Sequence, residues 1–495
     1  MAAVDNIVTI PEFYRGKSVF VTGATGFIGK VLIEKLLRSC PDIGYIYILL
    51  RPKRNATLED RMKKITDIIL FDKVKELYPE NIKKLKFVAG DVSEINLGLS
   101  SADYNLLVKN VDVIFHIAAT IKFQAPLSDS VLINTRGTRE ICNLALAIKR
   151  KPILVHVSTS YCHHENRCIK EEIYEPYGDW RKTIKIAESM DRHILNVITA
   201  KIKGIKENTY IFTKSLAEQV VQDLCVGKIP TIILRPAIVV GVLEDPLPGY
   251  CEGFSGHIGI LVGALSGLMR CINLKKSYRS ESVPVDFIAK GLINSVWLKG
   301  TGQSEQPVSI YNGSSNNLMD WNNETFANAT NSAFMKIRTT YRWYPHFHLI
   351  ETDLFFYLYF MIFQLLPCIV ADFIICLKKG QPILITIQRK IFTGLCVLEY
   401  FKSNEWKIEN KNFLFAVSDA PTNHEFIIDP QVHEHNFIEK NIIKHLNFIN
   451  KHYLKQEFTE HLTSPTKFAI LKTIYYIVHT IVYSTIGYVL YSVLY

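Results

Sequence analysis

The stretch VTGATGFIGKVLIEKLL, at residues 21–37, decides the fold of the first part of this chain. An apolar run ends at Thr22, glycines stand at positions 23, 26 and 29, and apolar residues then recur at helical spacing. Gly23 permits a tight turn, Gly26 lets the backbone approach a pyrophosphate, and Gly29 lets the helix pack closely on the strand. The stretch therefore predicts a strand, a dinucleotide-binding loop and a helix whose N-terminus faces the phosphates. The loop residues that we expect to contact the dinucleotide are Thr22, Gly23, Thr25, Gly26, Phe27, Ile28 and Gly29.

Apolar runs that alternate with helix-like stretches continue this pattern along the chain. The runs are apolar at nearly every position, as expected for parallel strands that are buried on both faces. Alternation of this kind predicts an α/β fold with a doubly wound parallel sheet. The runs that we interpret as strands are KSVFVTG, YIYILL, LKFVAGD, VDVIFHIAA, ILVHVSTS, TIILRP and VSIYNG.

The end of the second strand indicates which dinucleotide binds. About 20 residues past the glycines, an enzyme that uses NAD offers Asp or Glu to the ribose hydroxyls. This chain has LLRPKR there, with the basic residues Arg51, Lys53 and Arg54. Basic side chains in place of an acid favour the 2′-phosphate of NADPH, and we expect Arg51 to make the main contact. A solvated basic loop is the alternative interpretation.

Later strand ends complete the predicted cofactor pocket. Asp91 and Val92 follow the third strand, where we expect the carboxylate to accept from the adenine amine and the valine to pack on the ring. Ala118 and Ala119 follow the fourth strand and leave room for the ribose. We place Pro236, at the end of TIILRP, in the same pocket.

A Tyr-x-x-x-Lys pair carries the predicted chemistry. Tyr210 and Lys214 stand four residues apart, which places both side chains on one face of a helix. We expect the Lys214 ammonium to lower the pKa of the phenol and to hydrogen-bond the nicotinamide ribose. Tyr210 would then protonate a carbonyl oxygen as a general acid while a hydride arrives from NADPH.

A further hydroxyl is expected to hold the substrate oxygen. The fifth strand ends in VSTS, with Ser158, Thr159 and Ser160. Successive residues of a strand face opposite sides, so the three hydroxyls do not all face the cofactor. We choose Thr159, with Ser158 as the second choice, and hydroxyls that only cap the strand are the alternative.

The composition suits a cytosolic chain that meets phosphate groups or a membrane. The net charge is +10 without a run of basic residues, which favours binding of a phosphate-bearing ligand or an anionic membrane face. An ordinary basic protein without such a partner is the alternative interpretation. The ten cysteines are scattered without zinc spacing, so we expect reduced thiols and no metal site. The sequence shows no nucleic-acid-binding motif, and its first residues show no signal-peptide pattern.

Two long apolar stretches raise the question of a membrane. Residues 473–495 contain no Asp, Glu, Lys or Arg and form the better candidate for a spanning helix, which needs about 20 apolar residues. Lys467 and Lys472 precede it, so the positive-inside rule keeps the preceding part of the chain in the cytosol. Residues 354–376 include a glutamine, a proline and an aspartate. We prefer an interfacial or re-entrant hairpin, or a buried helix, for this stretch, and a spanning helix is the alternative.

Longer motifs closely resemble those of fatty acyl-CoA reductases, within the extended short-chain dehydrogenase/reductase superfamily. The resemblance covers roughly residues 14–455 and includes FKSNEWKIENKN at residues 401–412, outside the dinucleotide-binding region. The other motifs that carry the resemblance are GATGFIGKVLIEKLL, VIFHIAATIKF, HVSTSYC, YIFTKSLAE, RPAIV, EDPLPGY and VPVDFIAKG.

The resemblance implies an activity: reduction of a long-chain acyl-CoA to a primary alcohol, with two NADPH. It implies that the glycine loop holds NADPH and that Thr159, Tyr210 and Lys214 are catalytic. It also implies a helical C-terminal domain and attachment to an intracellular membrane, for which we expect the endoplasmic reticulum, with the peroxisome as the alternative. The family's usual tail, with a Trp and a Gly-Ile-Arg-like stretch, is not evident in this chain, which puts its chain-length preference in doubt.

We expect three parts in the chain. Residues 1–340 form the NADPH-binding Rossmann domain, with inserted acyl-CoA substrate elements at about 160–208 and 242–285. Residues 341–466 form a helical C-terminal domain, and residues 467–495 form a transmembrane anchor.

Some features allow two interpretations. The insertion at 182–206 covers an acyl channel or is a surface helix, and residues 256–270 let an alkyl chain pass or belong to the core. Four basic residues meet CoA phosphates or form a solvated face: Arg270, Lys275, Lys276 and Arg279. The alternative functions are a membrane-bound hydroxysteroid or sugar-nucleotide dehydrogenase and a non-catalytic membrane scaffold.

Overall fold

The computed structural model describes residues 8–52, 57–253, 256–319, 321–337, 343–420, 424–428, 436–454 and 465–494. Lys53 and Arg54, two of the basic residues considered for the 2′-phosphate, lie outside these ranges.

The strands follow in chain order, with the short ones of two or three residues included. They are β1 (Ser18–Thr22), β2 (Ile46–Leu50), β3 (Leu85–Ala89), β4 (Val111–His116), β5 (Ile153–Val157), β6 (Cys168–Ile169), β7 (Thr231–Pro236), β8 (Ile238–Val240), β9 (Cys271–Ile272), β10 (Ser282–Pro284), β11 (Val308–Gly313), β12 (His348–Leu349) and β13 (Lys407–Ile408).

The α-helices range from single turns to eight turns. They are α1 (Ile10–Tyr14), α2 (Phe27–Ser39), α3 (Leu58–Thr66), α4 (Asp72–Leu77), α5 (Ser101–Asn110), α6 (Leu127–Ser130), α7 (Gly137–Ala147), α8 (Trp180–Ser189), α9 (Arg192–Lys203), α10 (Thr209–Cys225), α11 (Gly256–Leu265), α12 (Val285–Gly300), α13 (Asn323–Lys336), α14 (Asp353–Tyr359), α15 (Leu366–Leu377), α16 (Leu384–Val397), α17 (Glu399–Lys402), α18 (Lys411–Leu414), α19 (Phe437–His452) and α20 (Pro465–Leu494). Wider π-helical turns at Val131–Arg136 and Phe360–Leu365 lead from α6 into α7 and from α14 into α15.

Seven parallel strands form the main sheet, in the order β11-β7-β5-β4-β1-β2-β3. All residues of β1, β2, β5 and β7 are buried, which explains why these runs are apolar throughout. The strand order reverses between β1 and β4, and in open sheets of this kind ligands bind at the carboxyl ends of the strands beside such a reversal. The predicted doubly wound parallel sheet is confirmed.

The chain divides into two compact units. The first contains the main sheet and comprises Met1–Pro248, Glu281–Asp320 and Trp406–His433. The second comprises Gly249–Ser280, Trp321–Glu405 and Glu434–Tyr495. The domain boundaries expected near residues 340 and 466 stay predictions.

The FKSNEWKIENKN segment returns to the first unit. Its strand β13 pairs in parallel with β6. The indole Nε1 of Trp406 donates to the carbonyl oxygen of His164 at 2.7 Å, and Asn410 Nδ2 donates to that of Ser314 at 2.9 Å. The chain therefore leaves the first unit after β11, contributes residues 321–405 to the second unit, and comes back at residue 406.

In the second unit, residues 353–377 form one continuous apolar helix with a polar inner face. Gln364 is buried, where its Oε1 accepts from the backbone N–H of Arg270 at 2.8 Å and its Nε2 donates to Gln388 Oε1 at 2.8 Å. By length and composition this helix and Thr466–Val489 are the two described helices that qualify as membrane spans.

Asp372 joins this helix to the one that follows. Its buried carboxylate accepts hydrogen bonds from the backbone N–H groups of Ile383, Leu384 and Ile385, at 3.2, 3.1 and 2.8 Å. These N–H groups have no intrahelical partner at the start of a helix, and the negative charge suits the helix dipole. Helices α15 and α16 therefore form a hairpin that is closed at its tip.

We predict that Asp372→Ala loosens this hairpin, because three backbone N–H groups lose their acceptor. Loss of such a cap costs about 0.5–2 kcal/mol, so the amides of residues 383–397 should exchange faster with deuterium. Asp372→Asn keeps one carbonyl oxygen in place and should show a smaller change. Equal exchange in the Ala variant and the unaltered chain would rule out the capping role.

Candidate active site

The glycine loop between β1 and α2 leaves no room for side chains on its inner side. Gly23 has a φ of +76°, and a Cβ built there would lie 2.7 Å from the backbone nitrogen of Ala118. A Cβ on Gly29 would lie 2.4 Å from the carbonyl oxygen of Gly23. At Gly26, by contrast, the nearest atom lies at 3.2 Å, and no described side chain caps the start of α2. The open helix N-terminus at Gly26 fits the pyrophosphate of a dinucleotide.

Two residues predicted to contact the adenosine part of the cofactor pair with each other. Arg51 Nε lies 2.6 Å from Asp91 Oδ2, and Arg51 Nη2 donates to Asp91 Oδ1 at 3.2 Å. The same Oδ1 accepts from the backbone N–H and the hydroxyl of Ser93, at 3.0 and 2.9 Å. The Arg51 side chain is 57% exposed, so much of the guanidinium faces solvent. The charged side chains that follow β2 and β3 therefore lie next to each other at the carboxyl ends of these strands.

The remaining predicted cofactor residues lie at the carboxyl ends of the same parallel strands or in the loops that follow them. Thr25 is exposed, Phe27, Ile28 and Ala119 are half-buried, and Val92 and Pro236 are buried.

His116, which sequence reasoning missed, links the loop to the sheet. Its Nδ1 lies 2.8 Å from Thr22 Oγ1, and its Nε2 lies 3.0 Å from Thr138 Oγ1. Thr22 Oγ1 also accepts from the backbone N–H of Ala118 at 3.2 Å. Burial lowers the pKa of His116 to about 3, so the ring is neutral and bridges two hydroxyls. The only sequence signal was a polar residue at the end of an apolar strand.

Thr159, Tyr210 and Lys214 converge at the carboxyl end of β5. The side chain of Thr159 lies close enough to the Tyr210 phenol, in the first turn of α10, to lower the pKa of that phenol. One turn later, Lys214 Nζ donates to the carbonyl oxygen of Val157 at 2.7 Å, in a buried position. Thr159 Oγ1 also donates to the carbonyl oxygen of Pro236 at 3.5 Å, so the end of β7 meets the same place.

The contacts of the neighbouring hydroxyls favour Thr159 over the other candidates. Ser158 Oγ lies 3.6 Å from Cys162 Sγ. Ser160 Oγ donates to the carbonyl oxygen of Arg235 at 2.8 Å. Among the three hydroxyls of VSTS, Thr159 is the one whose contacts include the Tyr210 phenol.

Burial governs the protonation of the Tyr/Lys pair. Desolvation raises the pKa of Tyr210 above its usual value, although the side chain of Thr159 lowers it. The expectation of a lowered phenol pKa is therefore wrong for this structure, because the hydroxyl loses more by desolvation than it gains from its neighbours. Burial likewise lowers the pKa of Lys214 to about 8. Tyr210 stays protonated at neutral pH, as a proton donor must, and Lys214 stays mostly charged.

A buried ion network lies one further turn along α10, and sequence reasoning missed it as well. Glu218 accepts from Arg235 Nε and Nη2 at 2.9 and 2.7 Å, and its Oε2 lies 2.8 Å from His163 Nε2. Burial lowers the pKa of His163, but the neighbouring Cys162 and Glu218 raise it more, to about 9. Ligand atoms of Cys162, His163 and Glu218 lie within 4.8 Å of one another. Because Arg235 occupies both carboxylate oxygens, we interpret this group as an ion network rather than a metal centre.

Arg270, a candidate for CoA phosphates, is engaged within the second unit. Its Nη1 donates to the carbonyl oxygen of Phe363 at 2.6 Å, and its guanidinium lies 4.0 Å from the ring centre of Trp343. Lys276 lies 3.7 Å from Glu324 in an exposed ion pair. Arg270 therefore serves packing in this unit.

The fold and this constellation define the class of protein. A parallel sheet with a glycine loop after β1 and a Tyr/Lys helix beside β5 is the arrangement of an extended short-chain dehydrogenase/reductase. Solved structures agree on the fold. The terminal R domain of the myxalamid pathway matches with a TM-score of 0.59 at 18% identity, over 90% of this chain and 92% of that one. The reductase domain of a nonribosomal peptide synthetase from Mycobacterium tuberculosis matches with a TM-score of 0.57 at 19% identity, over 88% and 92%.

Sequence comparisons identify the family within this class. Two family models described as male sterility protein match, one of the NAD-binding type over residues 21–292 and the other over residues 363–440. Fatty acyl-CoA reductase 1 of Rattus norvegicus is 33% identical over 445 residues, which cover 88% of this chain and 84% of the relative. Fatty acyl-CoA reductase wat of Drosophila melanogaster is 34% identical over 402 residues, which cover 81% and 77%. The chain belongs to the fatty acyl-CoA reductase family, and the predicted resemblance is confirmed.

Two glycine variants separate folding from cofactor binding. Gly29→Ala should lower the melting temperature, because its Cβ would lie 2.4 Å from the Gly23 carbonyl oxygen and such overpacking costs about 1–3 kcal/mol. Gly26→Ala places its Cβ 3.2 Å from the same oxygen, so it should lower the melting temperature less than Gly29→Ala. It should bind the nicotinamide dinucleotide at least about 10-fold more weakly, since the methyl group blocks the pyrophosphate. Melting curves with and without the dinucleotide measure both effects. Full dinucleotide affinity in Gly26→Ala would contradict the assignment of the loop.

Proposed function

We propose that this protein reduces a long-chain acyl-CoA to the primary alcohol with two NADPH, by way of the aldehyde. The observation that carries the proposal is the convergence of Thr159, Tyr210 and Lys214 at the carboxyl end of the parallel sheet, where the glycine loop also lies. Family membership supplies the substrate class, since relatives carry the name fatty acyl-CoA reductase.

The choice of NADPH rests on Arg51. Its guanidinium is largely exposed and lies where the second strand ends, and a planar cation of this kind binds phosphate by paired hydrogen bonds. Asp91 is the partner of Arg51 in this structure and orients its guanidinium group. The guanidinium group carries five N–H donors, so donors remain for a phosphate. Bound along the glycine loop, NADPH would supply a hydride to the thioester carbonyl carbon and a second hydride to the aldehyde.

The chain's own residues handle the oxygen and the proton. Tyr210 donates its phenolic proton to the carbonyl oxygen, since it remains protonated at neutral pH. Thr159 donates a hydrogen bond to the same oxygen and stabilises negative charge as it develops. After the first round the hemithioacetal returns its hydroxyl proton to the Tyr210 phenolate and breaks its C–S bond, which leaves an aldehyde. The CoA sulfur takes a proton from solvent and departs as the thiol. In the second round the same hydroxyls protonate and hold the aldehyde oxygen, and the alcohol forms.

We predict that Tyr210→Phe lowers turnover by roughly 10²–10⁴-fold and leaves NADPH affinity within about 2-fold, because it removes the proton donor alone. Tyr104→Phe, on α5, is the control that loses a phenol elsewhere in the same unit. The assay follows NADPH oxidation and CoA release together, with about two NADPH expected per CoA. Undiminished turnover in Tyr210→Phe refutes the mechanism, and carbonyl reduction without CoA release supports a hydroxysteroid or sugar-nucleotide dehydrogenase instead.

We predict that Arg51→Ala weakens NADPH binding by roughly 10- to 100-fold and leaves NADH binding nearly unchanged. A hydrogen bond to a charged group contributes about 1.5–3 kcal/mol, and NADH lacks the 2′-phosphate. Arg15→Ala removes a surface cation that pairs with Asp42 at 3.5 Å and serves as the control. An equal loss of affinity for both cofactors would argue against the 2′-phosphate contact.

We also propose that the second unit attaches the protein to an intracellular membrane through a non-spanning hairpin and the spanning helix α20. Exposed apolar side chains line the outer face of residues 353–377: Leu354, Phe355, Leu358, Met361, Leu366, Val370, Phe373 and Leu377. The stretches that directly precede and follow residues 321–405, Glu281–Asp320 and Trp406–His433, belong to one compact unit, so both ends of this segment lie on one side of a membrane. The returning helix α16 has 14 residues, about 21 Å at 1.5 Å per residue, which is too short to span. A hairpin that inserts into the membrane without crossing it, with the first unit in the cytosol, satisfies these constraints. We place it in the membrane of the endoplasmic reticulum, with the peroxisome as the alternative.

The hairpin tip tests this topology. A hairpin that lies along the cytosolic interface keeps its tip in water, so a cysteine at Gln381, between α15 and α16, should react with a membrane-impermeant maleimide on the cytosolic face of sealed microsomes. The background is Cys376→Ser and Cys396→Ser, which removes the exposed native thiols, and Lys149→Cys in the first unit is the cytosolic control. Labelling of position 381 only after permeabilisation, with position 149 labelled before it, would show that the helix spans.

A further inference from the structure

The loop between β4 and α6 is fastened to the catalytic helix on both sides of Tyr210. At one end, the Thr120 backbone N–H donates to Asn134 Oδ1 at 2.9 Å. Asn134 Nδ2 donates in turn to Thr213 Oγ1 at 2.9 Å, in a buried position on α10. At the other end, Thr209 Oγ1 donates to the carbonyl oxygen of Ala125 at 3.0 Å. Thr209 and Thr213 flank Tyr210 on α10, so the loop is held against the first turn of this helix.

Phe123 lies between these two attachments and covers the catalytic ring. Its ring is stacked on that of Tyr210, with centroids 5.9 Å apart and planes inclined by 19°. Phe123 is half-buried, whereas its neighbours Ile121, Lys122 and Gln124 are exposed. The fastened loop thus turns a single aromatic side chain inward, onto the residue that donates the proton.

The position of Phe123 constrains any substrate that reaches the Tyr210 hydroxyl. A carbonyl oxygen must come within about 3 Å of that hydroxyl to accept its proton. The carbon atoms next to the carbonyl then lie close to the ring that covers Tyr210. A straight methylene chain can pass along an aromatic face, whereas a methyl branch on the first carbon requires extra width.

We propose that Phe123 is a positioning and specificity-determining residue: it fixes the Tyr210 ring and selects acyl groups that are unbranched beside the reacting carbonyl. This inference rests on the proposed acyl-CoA reduction. Asn134 is the positioning residue that holds the loop, through Thr120 and Thr213.

The test compares two substrates of equal chain length, a straight acyl-CoA and its 2-methyl-branched analogue. In the full-length protein in detergent, Phe123→Ala should raise the branched-to-straight ratio of kcat/KM by roughly 10-fold or more. It should also lower kcat for the straight substrate, because the Tyr210 ring loses its support. Phe123→Leu keeps more of the apolar volume and should give an intermediate ratio. Gln124→Ala, an exposed position in the same loop, should leave the ratio unchanged.

The outcomes separate this inference from the proposed function. If the unaltered protein reduces no acyl-CoA, the proposed function fails. If it reduces the straight substrate and neither Phe123 variant changes the ratio, the role of Phe123 is refuted while the function stands. A fall in kcat with an unchanged ratio also overturns the specificity claim, because loss of structure would affect both substrates equally. Phe123→Leu decides the matter if Phe123→Ala does not fold, as judged by NADPH binding.

Discussion

The hydrogen bond from the Lys214 ammonium to the carbonyl oxygen of Val157 is the constraint on which the candidate site depends. It joins helix α10 to the carboxyl end of β5 at 2.7 Å, inside the protein. One helical turn before Lys214 stands Tyr210, and two residues past Val157 stands Thr159, so this contact brings the two hydroxyls together. The spacing of four residues between Tyr and Lys is therefore a structural requirement as well as a chemical one.

A buried ammonium at this position needs compensation, and the network around Glu218 provides it. Burial lowers the pKa of Lys214, and the charge of Glu218, one turn further along α10, opposes part of this effect. Arg235 on β7 and His163 hold the carboxylate in place from other elements. Removal of one member of a buried ion pair usually costs more folding free energy than the intact pair contributes. The buried contacts of Glu218 and Lys214 therefore fix the positions of α10, β5 and β7 relative to one another.

Local patterns in the sequence were sufficient to predict the sheet, the glycine loop and the Tyr/Lys helix, because periodicity and glycine spacing are local properties. His116 and Glu218 were missed because their partners come from distant parts of the chain, and a lone polar residue in an apolar run does not reveal them. The raised pKa of Tyr210 was missed for a related reason, since desolvation depends on packing. The return of residues 406–433 to the first unit also depends on long-range pairing, and it bears directly on the topology of the apolar hairpin.

The central claim is that a charged Lys214 beside a protonated Tyr210 supports carbonyl reduction, and the pH dependence of aldehyde reduction at saturating NADPH tests it most directly. Burial lowers the pKa of Lys214 to about 8, so the ammonium is present below this pH and is lost as the pH rises through it. The account predicts a rate that falls on the alkaline side with a midpoint near pH 8, and a Lys214→Arg variant whose residual rate shows no such fall, because guanidinium stays charged. An alkaline limb that is the same in Lys214→Arg, or a rate that is independent of pH from 7 to 10, would contradict the account.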